Sequence, residues 1–123
     1  YENGAVWNMT KKTFMQFIGM TDANGQPIAR INYGVDGKPE RTLLGRKVVC
    51  NDYMPSLGAE IKADTVVAFL FNWSDYMFNT NYAMRIKNYE DDDTEDQVTK
   101  AVMICDGKVI DLNSLVTLTK KAA

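Results

Sequence analysis

The 123-residue sequence predicts an α+β fold, with a short-stranded mixed or antiparallel sheet, one main helix and long surface loops. One early segment has apolar residues at helical spacing, and about six others are short and rich in β-branched or aromatic residues. Strands and helices do not alternate regularly, as they would in a doubly wound parallel sheet. Hydrophobic residues make up 46% of the chain and charged residues 24%, which is typical of a globular protein, and the length favours one domain.

The main helix follows a short β-leaning segment at the start of the chain. Thr10 can accept a hydrogen bond from a first-turn N–H, and apolar residues such as Phe14 and Ile18 follow at helical spacing. These features predict a helix from about Lys11 to Gly19. The pair Asn24-Gly25 then predicts a turn, because both residues tolerate positive φ.

The segment 26–42 is predicted to be an extended surface loop that is mobile, because it contains several Gly and Pro residues and has no helical period. The pair Asp36-Gly37 marks a turn within it. A strand over Lys47–Cys50 and a loop over 51–59 follow. Residues Thr65–Phe71 are apolar at both odd and even positions, which predicts a strand covered on both faces.

The second half of the chain is predicted to contain several short elements. The strongest local signal is a hairpin in which 97–105 and 108–111 pair across an Asp106-Gly107 turn. The other predictions are strands near Tyr76–Phe78, Ala83–Lys87 and Val116–Thr119, an acid-rich loop over Glu90–Asp96, a helical turn over Asn113–Leu115, and fraying over Lys120–Ala123.

The composition removes several kinds of chemistry. The chain has no histidine, so it cannot form a Ser-His-Asp or Cys-His catalytic arrangement or a His-containing zinc site. Cys50 and Cys105 are predicted to be buried free thiols, although one disulfide between them stays open. The net charge of −2 argues against general affinity for nucleic acid or anionic lipid. The sequence has no apolar run of about 20 residues and no signal peptide.

The acid run Glu90–Asp96 is the feature closest to a metal site. It lacks the central Gly of a calcium-binding loop, and adjacent like charges usually stay in water, so a solvated loop is favoured and a divalent-cation site stays the alternative. Asp52 and Asp75 are predicted to be isolated loop residues. Gly34, Gly37 and Gly45 match no phosphate-binding motif and are predicted to be turn glycines. The sequence therefore predicts no catalytic, cofactor-binding or metal-ligating residue, and no enzyme.

Aromatic residues and methionines form the remaining patterns. No Lys or Arg lies between Phe69 and Tyr82, whereas nucleobase-stacking surfaces interleave aromatics with basic residues. Core and subunit-contact roles are therefore predicted for these aromatics, and the seven scattered methionines are predicted to fill gaps in the core. The aromatics concerned are Phe69, Phe71, Trp73, Tyr76, Phe78 and Tyr82.

Four stretches carry a pattern that extends over nearly the whole chain. They are Gly4–Met9 followed by the helix and the Asp22–Pro27 turn; Thr42–Val49 with Asp52 and Met54-Pro55; Leu70–Phe78; and Gln97-Val98 followed by Cys105–Val109, Leu112 and Leu115–Leu118. In this order they resemble the C-terminal part of the tailed-phage major capsid protein family, which has the HK97-type fold. The sequence departs from the family pattern at Lys47, where Pro is usual, and at Phe71-Asn72, where Gly-Asp is usual.

The resemblance implies a structural protein of a phage or prophage virion, made in the cytoplasm of a host bacterium. Its partners would be copies of itself, arranged as pentamers and hexamers of an icosahedral shell that encloses DNA. It would need no cofactor, no sequence-specific nucleic acid and no membrane. The segment 26–42 would lie near the capsomer axis or a neighbouring subunit.

The resemblance also implies that residues 1–123 are a fragment, consistent with a first residue other than Met. The fragment would contain the axial domain and the returning strands of the peripheral domain. The N-terminal arm, the extended two-stranded loop and the spine helix would precede Tyr1, and the isolated piece would be monomeric or weakly associating. Three alternatives stay open: a non-catalytic small-molecule or peptide-binding domain, an encapsulin-type compartment shell protein, and, more weakly, a metal-dependent hydrolase built on the acid run.

Overall fold

Two units make up the chain in the computed structural model, which describes residues 1–58, 60–81 and 83–121. Unit 1 is Tyr1–Asp75 together with the segment from Asp111 onward, and unit 2 is Tyr76–Ile110. In chain order the elements are β1 (Val6–Met9), α1 (Lys11–Ile18), β2 (Ala29–Tyr33), β3 (Pro39–Leu43), β4 (Arg46–Cys50), β5 (Val66–Phe71), a 3₁₀ turn (Trp73–Asp75), β6 (Tyr76–Thr80), β7 (Arg85–Glu90), β8 (Gln97–Val102), β9 (Cys105–Val109), a second 3₁₀ turn (Leu112–Ser114) and β10 (Val116–Thr119).

Unit 1 is built on a six-stranded sheet with the strand order β10-β5-β1-β4-β3-β2. Strands β1 and β4 are parallel, and all other neighbours in this sheet are antiparallel. The prediction of a mixed, short-stranded sheet with one main helix is therefore confirmed. Strand β10 carries a register shift between Leu118 and Thr119, whereas β2, at the opposite edge, pairs with β3 without interruption.

The helix α1 agrees closely with its prediction. The Thr10 hydroxyl accepts a hydrogen bond from the Thr13 backbone N–H at 3.2 Å, which satisfies a donor that the first turn would otherwise leave unpaired. Gly19 caps the other end by donating its backbone N–H to the Phe17 carbonyl. No helix among the described residues has the length and apolar content of a membrane span.

The core of unit 1 lies between α1 and one face of the sheet. Side chains alternate between the faces of a strand, so Trp7 and Met9 of β1 lie on the same face as Val48 of β4. Phe14 of α1 is completely buried in the same cluster. Each side chain of this size contributes roughly 1.5–3 kcal/mol when it leaves water, so this layer accounts for much of the stability of unit 1.

Strand β5 is covered on both faces, as its sequence predicts. Ala68 belongs to the core cluster on the side of α1. On the opposite face Val67 and Phe71 are buried, and the ring of Phe71 meets the ring of Trp73 edge-on at 5.5 Å. Because both faces of β5 are covered, every position of the strand carries an apolar residue.

The segment 26–42 is not a structureless loop, and that prediction is wrong. Its two arms form the hairpin β2–β3, in which Ala29 pairs with Leu43 and Tyr33 with Pro39 through five consecutive positions. The predicted Asp36-Gly37 turn is present, and Gly37 has φ of +68°. Pro39 is tolerated because it occupies the first position of its strand.

Unit 2 consists of two separate two-stranded antiparallel ladders, β6–β9 and β7–β8. Strands were predicted near both β6 and β7, and the structure extends each towards its carboxyl end. The predicted hairpin across Asp106-Gly107 is wrong. These residues lie inside β9, where Asp106 pairs with Asn79 and Gly107 with Phe78, while β8 pairs with β7 instead.

The end of the chain is more firmly held than predicted. The second 3₁₀ turn and β10 confirm the predicted helical turn and last strand. The Lys120 backbone N–H donates to the Thr65 carbonyl at 3.1 Å, and the Lys120 ammonium donates to the carbonyls of Gly58 and Ile61 at 3.1 and 3.0 Å. Fraying is therefore wrong for Lys120, while Ala122 and Ala123 lie outside the described residues.

Candidate functional site

Unit 2 exposes its apolar side chains. Over residues 76–81 and 83–110, none is buried, although the four strands are regularly paired. A soluble protein rarely leaves so many apolar side chains in water unless another surface covers them. The exposed apolar residues are Tyr76, Met77, Phe78, Met84, Ile86, Tyr89, Met103, Ile104 and Ile110.

The packing of one tyrosine explains why β9 contains a glycine. A Cβ atom placed on Gly107 would lie 1.9 Å from the hydroxyl oxygen of Tyr76 and 2.6 Å from its ring carbon Cζ. The Tyr76 side chain therefore lies directly across the backbone of Gly107, and a larger residue at this position would have to push the Tyr76 ring aside. Gly in a strand interior often marks such a close approach by another group.

A second exposed apolar feature, which we call the hairpin tip, is formed by residues 33–37 between β2 and β3. The Tyr33 side chain is 74% exposed and Val35 is fully exposed. The Gly37 backbone N–H donates to the Gly34 carbonyl at 2.9 Å and closes the turn. The alternation of side chains in Arg30-Ile31-Asn32-Tyr33 was the sequence signal that could have identified this strand and its tip.

A cavity of about 490 Å³, which we call the α1 pocket, lies where α1 begins. Its walls include Met15 and Met54, and Lys11, Lys12 and Asp52 also line it. Asp52 was predicted to be an isolated loop residue, and the structure places it in this pocket.

A network of hydroxyl groups holds the α1 pocket in shape. The Thr10 hydroxyl lies 2.9 Å from the hydroxyl of Thr13 and 2.8 Å from that of Ser56. The Thr13 hydroxyl also accepts the Leu57 backbone N–H at 2.9 Å. The first turn of α1 and the loop after β4 are thereby joined, so the pocket is a preformed concave surface.

The hairpin tip and the α1 pocket lie at the same end of the sheet. Strand β2 is antiparallel to β3, and β3 is antiparallel to β4, which is parallel to β1. The carboxyl ends of β1, β2 and β4 therefore point in the same direction. The hairpin tip follows β2, whereas the α1 pocket is built from the segments that follow β1 and β4.

The acid run forms a compact turn between β7 and β8. The Asp91 backbone N–H donates to the Asp96 carbonyl at 2.9 Å, the Glu95 N–H donates to the Asp91 carbonyl at 2.8 Å, and the Asp93 N–H donates to the Asp91 side chain at 3.1 Å. Among the residues that the structure describes, no cluster of three or more acidic, Cys or His side chains could hold a metal ion. The arrangement is that of a hydrogen-bonded surface turn.

The remaining polar candidates occupy structural positions. Asp75 ends the first 3₁₀ turn, where its backbone N–H donates to the Asn72 carbonyl at 3.0 Å. Gly37 and Gly45 have positive φ, as expected for turn glycines, and Gly34 precedes the hairpin turn. The structure brings none of these residues together into a phosphate-binding loop or a pair of carboxylates.

The two cysteines differ in their surroundings. Both are free thiols, but Cys105 is exposed, so the prediction that both are buried is wrong for this residue. Cys50 is half-buried, and burial raises the pKa of its thiol. A thiol with a raised pKa is a poor nucleophile, so Cys50 has the character of a packing residue.

The predictions for methionines and aromatics hold only in part. Met9 is fully buried, but most other methionines are exposed, so gap filling in the core is wrong for Met15, Met20, Met77, Met84 and Met103. Among the aromatics Phe71 is buried, which confirms a core role, whereas Phe78 is exposed and its subunit-contact role stays a prediction. Tyr82 lies outside the described residues.

Comparison with known proteins agrees with this geometry. The model of the phage capsid family matches residues 1–120. No curated protein matches the chain. Two solved structures have the same fold: the capsid of a native GTA particle computed with C5 symmetry, with a TM-score of 0.69 and 20% identity, and the capsid of an empty GTA particle, also computed with C5 symmetry, with a TM-score of 0.68 and 19% identity.

The extent of these matches is asymmetric. The two alignments cover 99% of this chain but only 39% and 38% of the respective capsid chains, so the chain spans well under half the length of the solved proteins that it resembles. Their common fold confirms the predicted α+β capsid-type architecture. Because the family model extends over nearly the entire sequence, the chain belongs to the phage capsid family.

Proposed function

We propose that this chain is a structural part of a capsid protein, which assembles with copies of itself into the pentamers and hexamers of a shell around DNA. The observation that carries this proposal is the family match over residues 1–120. Unit 2 adds a physical reason, because its apolar side chains remain in water until another surface covers them. The protein would work by contact between subunits and would carry out no reaction.

The ring arrangement is supported by symmetry. The two similar capsid structures were computed with C5 symmetry, which corresponds to five subunits around an axis. Rings arise when each copy uses two different surfaces and the rotation between neighbours closes. We propose that rings of five and six copies form from this chain as well, in a virion assembled in the cytoplasm of the host bacterium.

The two units fit two parts of a capsid subunit. Unit 1 has its own core, which suits an axial domain that keeps its shape before assembly. Unit 2 has two bare ladders, which suit the returning strands of a peripheral domain that pack against another segment. The burial pattern supports this assignment because isolated two-stranded ladders are only marginally stable in water.

Electron microscopy tests the proposal. The protein expressed in bacteria from its own gene should form shells or rings, visible by negative staining and by sedimentation. Phe78→Ser in unit 2 should abolish these particles, because Phe78 is one of the exposed apolar side chains that assembly would cover. The adjacent substitution Asn79→Ser is the matched control and should leave them intact. Monomers at all protein and salt concentrations, together with thermal stabilisation by a small ligand, would instead favour a ligand-binding domain.

A further inference from the structure

Two Asn-Gly pairs lie at the surface of unit 1, Asn3-Gly4 and Asn24-Gly25. An asparagine before glycine can lose its side-chain amide, because the glycine nitrogen can attack the side-chain carbon where no Cβ stands in the way. Asparagine is accordingly among the thermolabile residues. In sequence the two pairs are equivalent, but in the structure their glycine nitrogens have different surroundings.

The Gly25 nitrogen is held in a closed turn. Its backbone N–H donates to the Asp22 carbonyl at 3.0 Å. On either side of it, the Asp22 carboxylate accepts the backbone N–H groups of Asn24 and Gln26 at 2.9 and 2.8 Å. The nitrogen must lose its proton before it can attack, and the adjacent carboxylate opposes the negative charge that results. The turn therefore protects Asn24.

The Gly4 nitrogen has no such restraint. Among the residues that the structure describes, none accepts a hydrogen bond from its backbone N–H. Gly4 has φ of +79°, and its turn is closed by one long contact of 3.4 Å from the Ala5 N–H to the Glu2 carbonyl. The carboxylate of Glu2 is paired with Arg46, which offsets its charge. Asn3 and Gly4 are both exposed, so the pair is open to water and to local backbone rotation.

The side-chain amide of Asn72 lies against the same peptide group. Its Nδ2 donates to the Asn3 carbonyl at 3.3 Å, and its Oδ1 accepts the Ser74 backbone N–H at 3.1 Å, which orients the amide. The Asn3 carbonyl and the Gly4 N–H share one resonant peptide unit. When that N–H loses its proton, resonance spreads the charge onto the oxygen, where a positioned donor stabilises it. Asn72 therefore makes the Gly4 N–H more acidic.

We propose that Asn3 is a site of spontaneous deamidation, with Asn72 as a positioning residue that acts through the Gly4 peptide group. Hydroxide removes the Gly4 proton, the nitrogen forms a bond to Cγ of Asn3, and the bond from Cγ to the side-chain amide nitrogen breaks. Ammonia leaves with a proton from water, and the product is a cyclic imide. Water then opens the ring at either carbonyl, which gives aspartate or isoaspartate at position 3. The net reaction consumes one water and releases one ammonia.

The isoaspartate product changes the chain just before β1. Its backbone passes through the former side chain and is one carbon longer, so the turn from Glu2 to Ala5 no longer closes in the same way. Arg46 donates to the Glu2 carbonyl at 2.6 Å and also pairs with the Glu2 carboxylate. Displacement of Glu2 removes both contacts and releases this segment from β4. The modification goes beyond the proposed function, because it proceeds whether or not the chain assembles.

Peptide mass spectrometry tests the proposal on the full chain. The purified protein is kept in warm, mildly alkaline buffer, and the peptides that contain positions 3 and 24 are followed for the mass gain that accompanies conversion of an amide to an acid. Deamidation should be faster at position 3 than at position 24 by about threefold or more, because only the Gly25 N–H is hydrogen-bonded. Equal rates, or a faster rate at position 24, would overturn the proposal.

Substitution of Asn72 tests its positioning role. Asn72→Asp keeps an acceptor for the Ser74 N–H but loses the donor to the Asn3 carbonyl and adds an opposing charge, so the rate at position 3 should fall about tenfold. The rate at position 24 should not change. Asn32→Asp, at an exposed position of β2, is the matched control and should alter neither rate. Circular dichroism checks folding.

The uncharged variant Asn72→Ala, which also lacks the donor, replaces an aspartate variant that does not fold and should slow the reaction at position 3 about threefold. An unchanged rate at position 3 in a folded Asn72 variant, or an equal fall at both positions, would overturn the role of Asn72. None of these outcomes depends on whether rings or shells form, so they are read independently of the proposed function.

Discussion

Units 1 and 2 form their strands by the same kind of ladder hydrogen bonds, but they differ in what lies beneath those strands. In unit 1 the helix α1 covers one sheet face, and Phe14 is completely buried. Over residues 76–81 and 83–110, unit 2 buries no side chain. The comparison teaches that backbone pairing can define a strand without a core, but that such a strand depends on other surfaces for stability.

Phenylalanine-to-alanine substitutions give the largest contrast between the units. Phe14→Ala should lower the free energy of unfolding by about 3–5 kcal/mol, because it leaves a cavity in the core. Phe78→Ala in unit 2 should lower it by less than about 1 kcal/mol in the unassembled chain, because this side chain is 60% exposed. Urea unfolding followed by tryptophan fluorescence measures the loss in unit 1, where Trp7 and Trp73 both lie, and amide hydrogen exchange of β6 measures the loss in unit 2. Equal losses for the two variants would contradict the contrast.

Within unit 2, Gly107→Ala should have the next largest effect. The new methyl group would collide with the Tyr76 side chain, so the β6–β9 ladder should lose about 1–3 kcal/mol of local stability. Amide hydrogen exchange would show faster exchange in β6 and β9 and unchanged exchange in unit 1. The double variant Gly107→Ala/Tyr76→Ala should recover much of the loss, and a loss that is simply additive would argue against the contact.

Removal of a helix cap tests a smaller contribution to the free energy of unfolding of unit 1. Thr10→Val keeps the shape of the side chain but removes the acceptor for the Thr13 N–H together with the hydroxyl contacts to Thr13 and Ser56, and should cost about 1–2 kcal/mol. The matched substitution Thr99→Val, at an exposed position of β8 in unit 2, should be nearly neutral. Thermal unfolding followed by circular dichroism gives both values, and the reverse order would be inconsistent with the cap.

The smallest expected effect concerns pH. A hydrogen bond from the Asn113 backbone N–H, at 2.9 Å, and another from the Tyr1 hydroxyl lower the pKa of Asp111. The charged form is favoured in the folded state, so its stabilisation is present above the ordinary pKa of an aspartate and is lost as the pH falls through the lowered value. Asp111→Asn should therefore destabilise the protein slightly near neutral pH and not in strong acid. The urea midpoints of the unchanged protein and of the Asp111→Asn variant should be measured across the acid range. A difference between the two midpoints that stays constant with pH would mean that the carboxylate charge is irrelevant.

Much of unit 1 could be predicted because its signals are local. The hydroxyl of Thr10 lies three residues before the N–H that it caps, and the apolar period of α1 extends over only two turns. The strand β5 was recognisable because apolar residues at every position already imply two covered faces. The hairpin β2–β3 was missed because its glycines and Pro39 suggest irregular chain. Its strand β3 pairs with β4, and this pairing stabilises the extended conformation against the local preference of those residues.

Unit 2 could not be predicted in the same way. The Asp106-Gly107 pair has the composition of a turn, but Gly107 lies in a strand against the side chain of Tyr76, which is 31 positions earlier in the sequence (107 − 76). A local pattern cannot reveal such a contact. The exposure of the hairpin tip and the shape of the α1 pocket are likewise tertiary properties, because the pocket joins the start of α1 to residues after β4.

Unit 2 leaves unit 1 after Asp75 and returns to it at Asp111, so it is an insertion within the other unit. During translation, β10 therefore reaches its place beside β5 only after all of unit 2 has left the ribosome. The entropy of closing such a loop grows slowly, by about 0.6 kcal/mol for each doubling of its length. Extra residues added at the turn between β7 and β8 would consequently burden the folding of unit 1 very little. This arrangement gives the chain a position at which evolution, or an engineer displaying a foreign peptide, can lengthen the protein without rebuilding its interior.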